Sequence, residues 1–303
     1  MPVEDQNDRV VVSHPTKKDV KVTILKYGAT VILWEANGAE QLWLSSAAKL
    51  DGSKAVRGGI PLVFPVFGKQ KNPDHPTFKL PQHGFARTST WEFLGQTTEN
   101  PVAVQFGLGP ENVEPATLGL WGEGKYDFSL ILTITLGEDF LESQIEVENT
   151  GKDDFEFNWL FHTYYRTPDI TDTLVTNLVD QSCYDQLIAE EYKEKSPVIS
   201  FHEEFDRIYK NVPTDLLIQM VQFGKVLHNV ERKNLPDAVV WNPWIKKLQG
   251  MGDFEPKEGY KNMLCIEPGH VSEMVKLSPR KKWQGAQKAF LGGEINIQSN
   301  IFQ

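Results

Sequence analysis

The histidine at position 162 is well placed to transfer a proton. It ends the string Phe155-Glu-Phe-Asn-Trp-Leu-Phe-His162, in which large aromatic side chains occupy every second position. A period of two predicts a strand that carries these four aromatic side chains on one face and His162 on the other. Such a strand holds an imidazole rigidly, which a general acid requires because proton transfer tolerates little displacement. The alternative is a histidine satisfied by hydrogen bonds on a polar sheet face.

A glutamate in the segment Met263-Leu-Cys-Ile-Glu267-Pro-Gly-His270 is the matching candidate for a general base. The proline forces an extended backbone at Glu267, and we expect the apolar strand to end there. A carboxylate at such a strand is costly to bury unless it has partners or a task, and partial burial raises its pKa. The alternative is a carboxylate satisfied by backbone N–H groups. His270 lies just beyond the turn, and the sequence is compatible either with a position on the surface or with a role in the site.

Arg57 precedes two glycines and could bind an anion. Gly58 and Gly59 would let the backbone approach a ligand closely while the guanidinium reaches over it. The alternative is an ordinary turn with an exposed arginine. The apolar run that follows, residues 60–68, contains two prolines, which cannot donate a ladder hydrogen bond. We therefore expect an irregular or edge segment there.

The loop Pro81-Gln-His-Gly-Phe-Ala-Arg87 offers an amide, an imidazole and a second guanidinium within seven residues. The guanidinium fork suits a phosphate because it binds two oxygens at once. Arg57 and Arg87 together would form an anion clamp, with Gln82 and His83 as further polar groups.

Two more segments could contact a sugar. Asp206, in Phe201-His-Glu-Glu-Phe-Asp206-Arg-Ile-Tyr209, could accept hydrogen bonds from sugar hydroxyls, or it could cap a turn or pair with Arg207. Trp241 and Trp244 flank an Asn-Pro turn. Tryptophan can stack on a sugar face, but we expect these two in the core.

The elements that must position these side chains are strands. Alternating apolar and polar residues at 20–24, 128–136 and 144–148 predict strands, and Gly137-Glu-Asp-Phe140 predicts a hairpin connection. Residues 216–226 favour strand over helix because Gly224 interrupts them. The segment from 69 to 79 is expected to be an exposed loop. These patterns predict an all-β class, a large antiparallel sandwich, with residues 1–303 as a single domain.

Composition narrows the function classes. The hydrophobic fraction of 40% with 11% aromatics supports a large core, and the formal charge of −10 without a basic stripe argues against a nucleic-acid partner. No run is long enough to span a membrane, and the polar first nine residues do not resemble a leader. We therefore expect a cytoplasmic protein. The two cysteines give neither a disulfide framework nor a metal spacing, and no phosphate-binding glycine loop or nucleophile elbow occurs.

Taken in order, these motifs resemble the glucose-6-phosphate 1-epimerases, the hexose-6-phosphate mutarotases of the aldose 1-epimerase superfamily. The resemblance runs from about residue 24 to about residue 283 and includes the segments Gln41-Leu-Trp-Leu-Ser45, Gly58-Gly-Ile-Pro-Leu-Val-Phe-Pro65, Leu160-Phe-His-Thr-Tyr164 and Val239-Val-Trp-Asn-Pro-Trp244. It implies a galactose mutarotase-like antiparallel β-supersandwich with the site on a concave sheet face.

The resemblance also implies residue roles. It makes His162 the acid and Glu267 the base, with substrate contacts from Arg57, Gln82, His83, Arg87 and Asp206. The implied reaction is acid–base ring opening and closure that interconverts the anomers of glucose 6-phosphate, without cofactor or metal. The partner would be a small hexose 6-phosphate, and we expect a monomer. The alternatives are a sugar-phosphate sensor without catalysis, or a mutarotase for neutral aldoses.

Overall fold

The structure is a computed structural model, and it describes residues 2–293. In that range almost all regular structure is β, in three antiparallel sheets, with strands numbered along the chain. The smallest sheet contains, in neighbour order, β1 Val3–Asp5, β2 Arg9–Ser13, β3 Lys21–Leu25, β4 Val31–Ala36 and β5 Ala39–Glu40. The predicted all-β class is confirmed.

The second sheet has nine strands. In neighbour order they are β16 Val198–Ser200, β13 Thr173–Thr176, β18 Ile218–Gln222, β19 Lys225–Lys233, β22 Lys282–Leu291, β10 Phe140–Asn149, β9 Phe128–Leu136, β8 Val102–Leu108 and β7 Glu92–Glu99.

The third sheet has eight strands and carries the candidate site. Its main path is β15 Glu190–Lys193, β14 Ser182–Asp185, β17 Phe205–Lys210, β20 Asp237–Asn242, β21 Met263–Leu277, β11 Phe155–Phe161 and β6 Leu62–Val63. The short strand β12, Tyr164–Arg166, also pairs with β21. Thus β11 and β12 follow each other along the same edge of the long strand β21.

Helical structure in the described range is short. It consists of α1 Pro115–Leu118 and α2 Trp244–Leu248, with 3-10 turns at Ala86–Thr88, Pro110–Asn112, Gly122–Gly124, Ile170–Asp172 and Lys257–Asn262. Within residues 2–293, none of these helices has the length and apolar character needed to cross a membrane.

Several local predictions are confirmed. The strands β9 and β10 pair on either side of the predicted connection, and β18 and β19 meet at the turn that contains Gly224. The proline-rich run contributes only β6, an edge strand of two residues. Residues 69–79 form a mostly exposed loop without strands.

The strand that leads to His162 differs from its prediction. The pairing of β11 with β21 shifts register between Phe157 and Trp159, where residues 271–274 of β21 lie opposite Asn158 alone, which indicates a bulge in β21. Asn158 at this shift and Leu160 beyond it are buried as well as the aromatic side chains. The polar sheet face of the alternative interpretation is therefore absent from Phe157 onward, because both faces of β11 are covered there.

One connected cluster of buried apolar side chains links the sheets. It includes Val22 from the first sheet, Leu132 from the second and Ile266 from the third. Phe64, beside β6, lies at a junction of this cluster, since its ring contacts five others within about 6 Å: Phe85, Trp121, Phe128, Phe157 and Trp159. The segment that carries the candidate site loop is thereby packed against both large sheets.

Candidate active site

Sheet register places His162 opposite Glu267. Leu160 pairs with Gly269, and Tyr164 pairs with Cys265. His162, midway between Leu160 and Tyr164, therefore faces Glu267, midway between Cys265 and Gly269. Directly opposite residues of an antiparallel pair project from the same face at close range. His162 itself lies just past β11, where its N–H donates to the carbonyl of Pro61.

The two side chains touch. Nδ1 of His162 lies 3.2 Å from Oε1 of Glu267, and both residues are buried. Burial raises the pKa of Glu267 well above its usual range, and nearby Asp206 raises it further. Burial also lowers the pKa of His162 well below its usual range, with smaller effects from His83 and the arginines at 87 and 57. Burial therefore favours the neutral imidazole and the neutral carboxylic acid over their charged forms.

The position of Glu267 within its strand corrects the sequence prediction. The strand does not end at Pro268 but continues to Leu277 as part of β21. Glu267 is consequently mid-strand and 2% exposed, which leaves the carboxyl with little access to water. Its pKa is raised because it is a buried group inside a sheet, and no strand end supplies free N–H groups to it.

A row of side chains crosses the sheet next to this pair. Asp206 pairs with Trp241, Trp241 with Cys265, and Cys265 with Tyr164. Residues two apart share a strand face, so this row projects on the same face as His162 and Glu267. The ring of Tyr164 stacks on His162 with centroids 4.8 Å apart, and Trp241 meets His162 edge-on at 5.9 Å. The sheet therefore fixes the imidazole on two sides.

Cys265 and Tyr164 were missed by the sequence reasoning. The thiol Sγ lies 3.8 Å from Nδ1 of His162 and within 4.8 Å of a carboxylate oxygen of Glu267. Their spacing was an available signal, because each is two residues from a candidate catalytic residue on a strand. Trp241 likewise lines the site in addition to packing in the core, whereas the sequence interpretation placed it in the core alone.

Asp206 lies at the other end of the cross-sheet row. Burial raises its pKa to about 6, despite a hydrogen bond from Nε2 of Gln186 to Oδ1 at 2.5 Å, which lowers it. The suggested pairing with Arg207 is wrong, because that guanidinium binds Asp185 and Glu194 instead. Adjacent strand residues point to opposite faces, which separates the two side chains.

Arg57 enters the site from the loop before Ile60 and is anchored there. Its Nη1 donates to the hydroxyl of Tyr164 at 3.1 Å, and its Nε donates to Oδ1 of Asp253 at 3.3 Å. Burial opposes the charge, but the Tyr164 and Asp253 contacts outweigh it and raise the pKa of Arg57. A fixed, charged guanidinium thus faces the cavity.

The glycines after Arg57 serve a different purpose from the expected one. Both have positive φ, and a Cβ on Gly58 would lie 2.5 Å from the carbonyl oxygen of Trp43. On Gly59 it would lie 2.1 Å from the carbonyl oxygen of Val31. The close approach is therefore between backbone segments of the protein and does not involve a ligand.

His83 holds the second site loop in place. The backbone N–H of His83 donates to the carbonyl of Gly68 at 2.8 Å, and the ring nitrogen Nδ1 of His83 accepts from the backbone N–H of Gly68 at 3.2 Å. Burial lowers its pKa to about 3, with help from Arg87 and Arg57, so the ring is neutral and carries its proton on Nε2. Nε2 of His83 lies 3.3 Å from the amide nitrogen of Gln82. A rotation of this amide group by 180° places its oxygen there instead, where it can accept the hydrogen bond from Nε2–H of His83.

Arg87 lies behind this loop. Its Nη2 donates to the carbonyl of Gln82 at 2.9 Å, while its buried Nε has no hydrogen-bond partner among the described residues. Burial lowers the pKa of Arg87 to about 10, with the charge of Arg57 contributing, so it remains a cation at neutral pH. The two arginines are thus close enough to repel each other.

A cavity of about 330 Å³ brings most of the expected residues together. Among its lining residues are His162, Glu267, Asp206, Arg57, Gln82 and His83, together with Lys247 from α2. Arg87 influences the charges in this cavity but is not part of its lining. Lys247 was missed by the sequence reasoning, which gave no reason to place the α2 segment at the site.

A larger cavity, of about 640 Å³, lies beside β17 and does not include the acid–base pair. Its arginine, Arg207, is already paired with two carboxylates, so its charge is compensated. The smaller cavity is therefore the candidate active site. His270 lies outside both cavities, and its Nδ1 contacts the carbonyl of Glu273.

One group of potential metal ligands occurs at the acid–base pair. His162, Cys265 and Glu267 each offer one ligand atom, and the three atoms lie within 4.8 Å of one another. Burial raises the pKa of the Cys265 thiol well above its usual range, so the sulfur is protonated at neutral pH.

Known proteins resemble this chain in sequence and in fold. The profile of the family described as aldose 1-epimerase matches residues 8–289. A protein of Cenchrus ciliaris named "Putative glucose-6-phosphate 1-epimerase" is 36% identical over 273 residues, covering 86% of this chain and 78% of the relative. A protein of Escherichia coli K12 with the same name is 30% identical over 285 residues, covering 93% and 90%. A crystal structure from Salmonella typhimurium, described as a "putative mutarotase", superimposes with a TM-score of 0.80 at 26% identity, covering 97% and 93%.

Proposed function

The chain belongs to the aldose 1-epimerase family, and from that premise we propose that it interconverts the α and β anomers of D-glucose 6-phosphate and other hexose 6-phosphates. The observation that carries this proposal is the contact of 3.2 Å between His162 and Glu267 at the wall of a cavity that also holds Arg57. Acid, base and cation are the three groups that the reaction and its substrate require.

The acid–base pair matches the chemistry of ring opening. In the closed sugar, the C1 hydroxyl and the ring oxygen are bonded to the same carbon, so the groups that exchange protons with them must also be close together. Glu267 removes the proton of the C1 hydroxyl while His162 protonates the ring oxygen, and the ring opens to the aldehyde. Rotation about C1 and closure on the other face invert the anomer, with the two residues exchanging roles.

The resting pair must redistribute its proton before this step. The neutral pair and the pair of imidazolium and carboxylate contain the same number of protons, so the two forms differ by a shift across the 3.2 Å contact. Only the charged form has both an acid at His162 and a base at Glu267. Positive charge nearby on Arg57 and Arg87 opposes imidazolium formation, and a bound phosphate dianion would offset that opposition.

Three cations can anchor the phosphate remote from C1. Arg57 faces the cavity on its Tyr164 and Asp253 supports, Lys247 enters from α2, and Arg87 has an unpaired buried Nε behind the loop. Charge-assisted contacts of guanidinium with phosphate are the stronger class of hydrogen bond. A mutarotase for neutral aldoses would have no use for this group of cations, which favours the phosphosugar.

The remaining predicted contacts are polar groups suited to sugar hydroxyls. Asp206 accepts hydrogen bonds when ionised, His83 donates through Nε2, and Gln82 offers an amide at the cavity mouth. We assign these three residues to substrate orientation. A sensor that only binds the sugar would need them and the cations, but would not need a buried acid–base pair.

The decisive experiment measures anomer exchange of glucose 6-phosphate by exchange NMR, with free glucose and galactose in parallel. We expect fast exchange only for the phosphosugar and loss of that exchange in Glu267→Gln. Binding of glucose 6-phosphate without acceleration would instead establish the sensor. Equal acceleration of the neutral sugars would establish a general mutarotase.

We further propose that residues 1–303 act as one domain and as a monomer in the cytoplasm. The support is the connected core between sheets and the two free, buried cysteines, Cys183 and Cys265. Thiols of this kind are typical of a reducing compartment. Light scattering of the purified protein tests the monomer, since a dimer would double the 34.4 kDa mass.

A further inference from the structure

The buried thiol of Cys265 has no part in the proposed reaction, yet it lies against both groups that perform it. Its Sγ is 3.8 Å from Nδ1 of His162, which in turn is 3.2 Å from Oε1 of Glu267. Three potential metal-ligand atoms, a nitrogen, a sulfur and an oxygen, thus lie within 4.8 Å of one another beside the cavity. All three side chains project from one face of the third sheet, so the backbone fixes their mutual positions.

The spacing of the donors suits a tetrahedral Zn²⁺ ion. Zinc lies about 2.0–2.2 Å from nitrogen and oxygen ligands and about 2.3 Å from thiolate sulfur, so tetrahedral ligands stand roughly 3.3–3.7 Å apart. The observed 3.2 and 3.8 Å separations deviate from this range by about 0.1 Å each, and all three atoms lie within 4.8 Å of one another. The sulfur of Cys265 and the carboxylate of Glu267 are thus at most 4.8 Å apart and need to approach each other by no more than about 1.1 Å.

The charges of the site also permit the ion. Bound to the ion, a thiolate and a carboxylate together carry two negative charges, which balance the two positive charges of Zn²⁺, and the third ligand is a neutral imidazole. Three protein ligands leave a fourth position, which the cavity next to His162 and Glu267 can fill with water.

We propose that His162, Cys265 and Glu267 form a Zn²⁺ site, and that its occupation blocks anomer exchange. The blocking rests on the proposed function, because the metal occupies the lone pair of His162 and the carboxylate of Glu267. The binding itself does not rest on it. Mg²⁺ does not bind here, since it demands six oxygen ligands in octahedral geometry.

The direct test uses Co²⁺ as a spectroscopic substitute for zinc. Full-length protein without an affinity tag is titrated with CoCl₂, and absorption from charge transfer between thiolate and cobalt is recorded; Zn²⁺ binding is followed by calorimetry. Wild type and Cys183→Ala, which changes the other buried cysteine, should bind one equivalent and show the band. Cys265→Ala should lose the band and weaken Zn²⁺ binding by about a hundredfold or more, since even the loss of a group that only orients a ligand costs about 10–100-fold.

Inhibition is measured on the same proteins. Zn²⁺ should stop anomer exchange by wild type and by Cys183→Ala, and a chelator should restore it, whereas Mg²⁺ should have no effect. Each rate is compared with that of the same variant without metal, because Cys265→Ala also alters the surroundings of Glu267. Should Cys265→Ala not fold, Cys265→Ser preserves the side-chain size while removing the thiolate ligand.

The site is overturned by the absence of a cobalt band in wild type, or by equal Zn²⁺ affinity in wild type and the folded Cys265 variants. A cobalt band in a protein without epimerase activity would instead overturn the proposed function and leave the metal site standing.

Discussion

At the scale of single residues, His162 and Glu267 depend on each other. We expect His162→Asn and Glu267→Gln each to slow anomer exchange of glucose 6-phosphate by about 10²–10⁴-fold, because each removes one positioned proton carrier. The double variant should be scarcely slower than either single one, since the pair acts as a unit. Exchange NMR measures the rates, and circular dichroism checks that the fold is retained. A folded single variant with near wild-type exchange would remove that residue from the mechanism.

Asp206 should link stability to pH in a predictable direction. Its pKa is raised from 3.8 to about 6 by burial, so the folded protein holds this proton more tightly than the unfolded chain does. Ionised Asp206 therefore lowers the free energy of unfolding above about pH 6, and this effect disappears below about pH 4. Asp206→Asn should raise the free energy of unfolding by up to about 3 kcal/mol at pH 8 and by little at pH 4.

The same substitution should impair the reaction, because the amide offers sugar hydroxyls one acceptor oxygen without charge in place of the two charged oxygens of the carboxylate. Urea unfolding at both pH values and kcat/KM at pH 8 are the measurements. An unchanged stability at pH 8 would contradict the raised pKa. A loss of stability equal at the two pH values would show that Asp206 has a structural role independent of its charge.

At the scale of elements, the cations in and behind the cavity come from three separate segments. Arg57 precedes β6, Arg87 lies in the 3-10 turn Ala86–Thr88, and Lys247 lies in α2. Arg87→Ala should cost about 1.5–3 kcal/mol of transition-state stabilisation with glucose 6-phosphate, because a charge-assisted contact with phosphate is lost. Slow exchange of free glucose should be nearly unchanged.

Lys247→Ala is the comparison variant for this prediction. The ammonium of Lys247 is more exposed, so its contact with the phosphate should contribute less binding free energy. The measurement is kcat/KM for both sugars. Equal losses with glucose and with glucose 6-phosphate would show that Arg87 shapes the loop and does not bind the phosphate.

The loop that carries His83 depends on a glycine. Gly84 has φ of +67°, and a Cβ there would lie 2.1 Å from the carbonyl oxygen of Phe64. Gly84→Ala should therefore lower the free energy of unfolding by about 3 kcal/mol or more and displace His83, because backbone must move in addition to the cost of a left-handed alanine. Gly38→Ala is the matched control: φ is +72° with nothing within 4 Å, so about 1–2 kcal/mol is expected. Similar losses in the two variants, measured by urea unfolding, would rule out the steric explanation.

At the scale of the whole molecule, Phe64 joins the site to the core. Its ring touches Phe128 of the second sheet, Phe157 of the third and Phe85 of the site loop. Phe64→Ala should lower the free energy of unfolding by about 3–5 kcal/mol, since it leaves a cavity at this junction. Leu94→Ala, at a side chain 47% exposed, should change it by about 0.5 kcal/mol or less. A small effect of Phe64→Ala would mean that the two large sheets are held together elsewhere.

The galactose mutarotase-like antiparallel architecture implied by the sequence motifs is confirmed by the Salmonella structure and by other solved structures described as galactose mutarotase-like. Alternating residues in β9 and β10 predicted strands correctly, because each is half-buried in an antiparallel sheet and the pleat imposes a period of two. The alternation in β3 also predicted a strand, although four of its five residues are buried. The hairpin connection at Gly137 was likewise predictable, since short turns require particular residues at fixed places. The turn at Gly224 was not predicted, because residues 216–226 were interpreted as one strand.

The sequence by itself determined which residue types could do the chemistry: a histidine and a glutamate in apolar surroundings, and arginines in glycine-containing loops. It did not reveal the bulge in β21 opposite Asn158, the continuation of β21 beyond Pro268, or the position of Lys247. These depend on which strands become neighbours. A one-residue shift in pairing reverses the face of every side chain, and no local pattern fixes that pairing across a hundred residues of chain.

Only the tertiary structure decided that His162 lies opposite Glu267, with Cys265 against both. The two catalytic candidates are 105 positions apart in sequence, yet the registers at Leu160–Gly269 and Tyr164–Cys265 place them face to face. Their pKa values follow from the same packing, because burial removes water from both groups at once. The residue types specify the possible chemistry, whereas the sheet register sets the distances and the burial on which that chemistry depends.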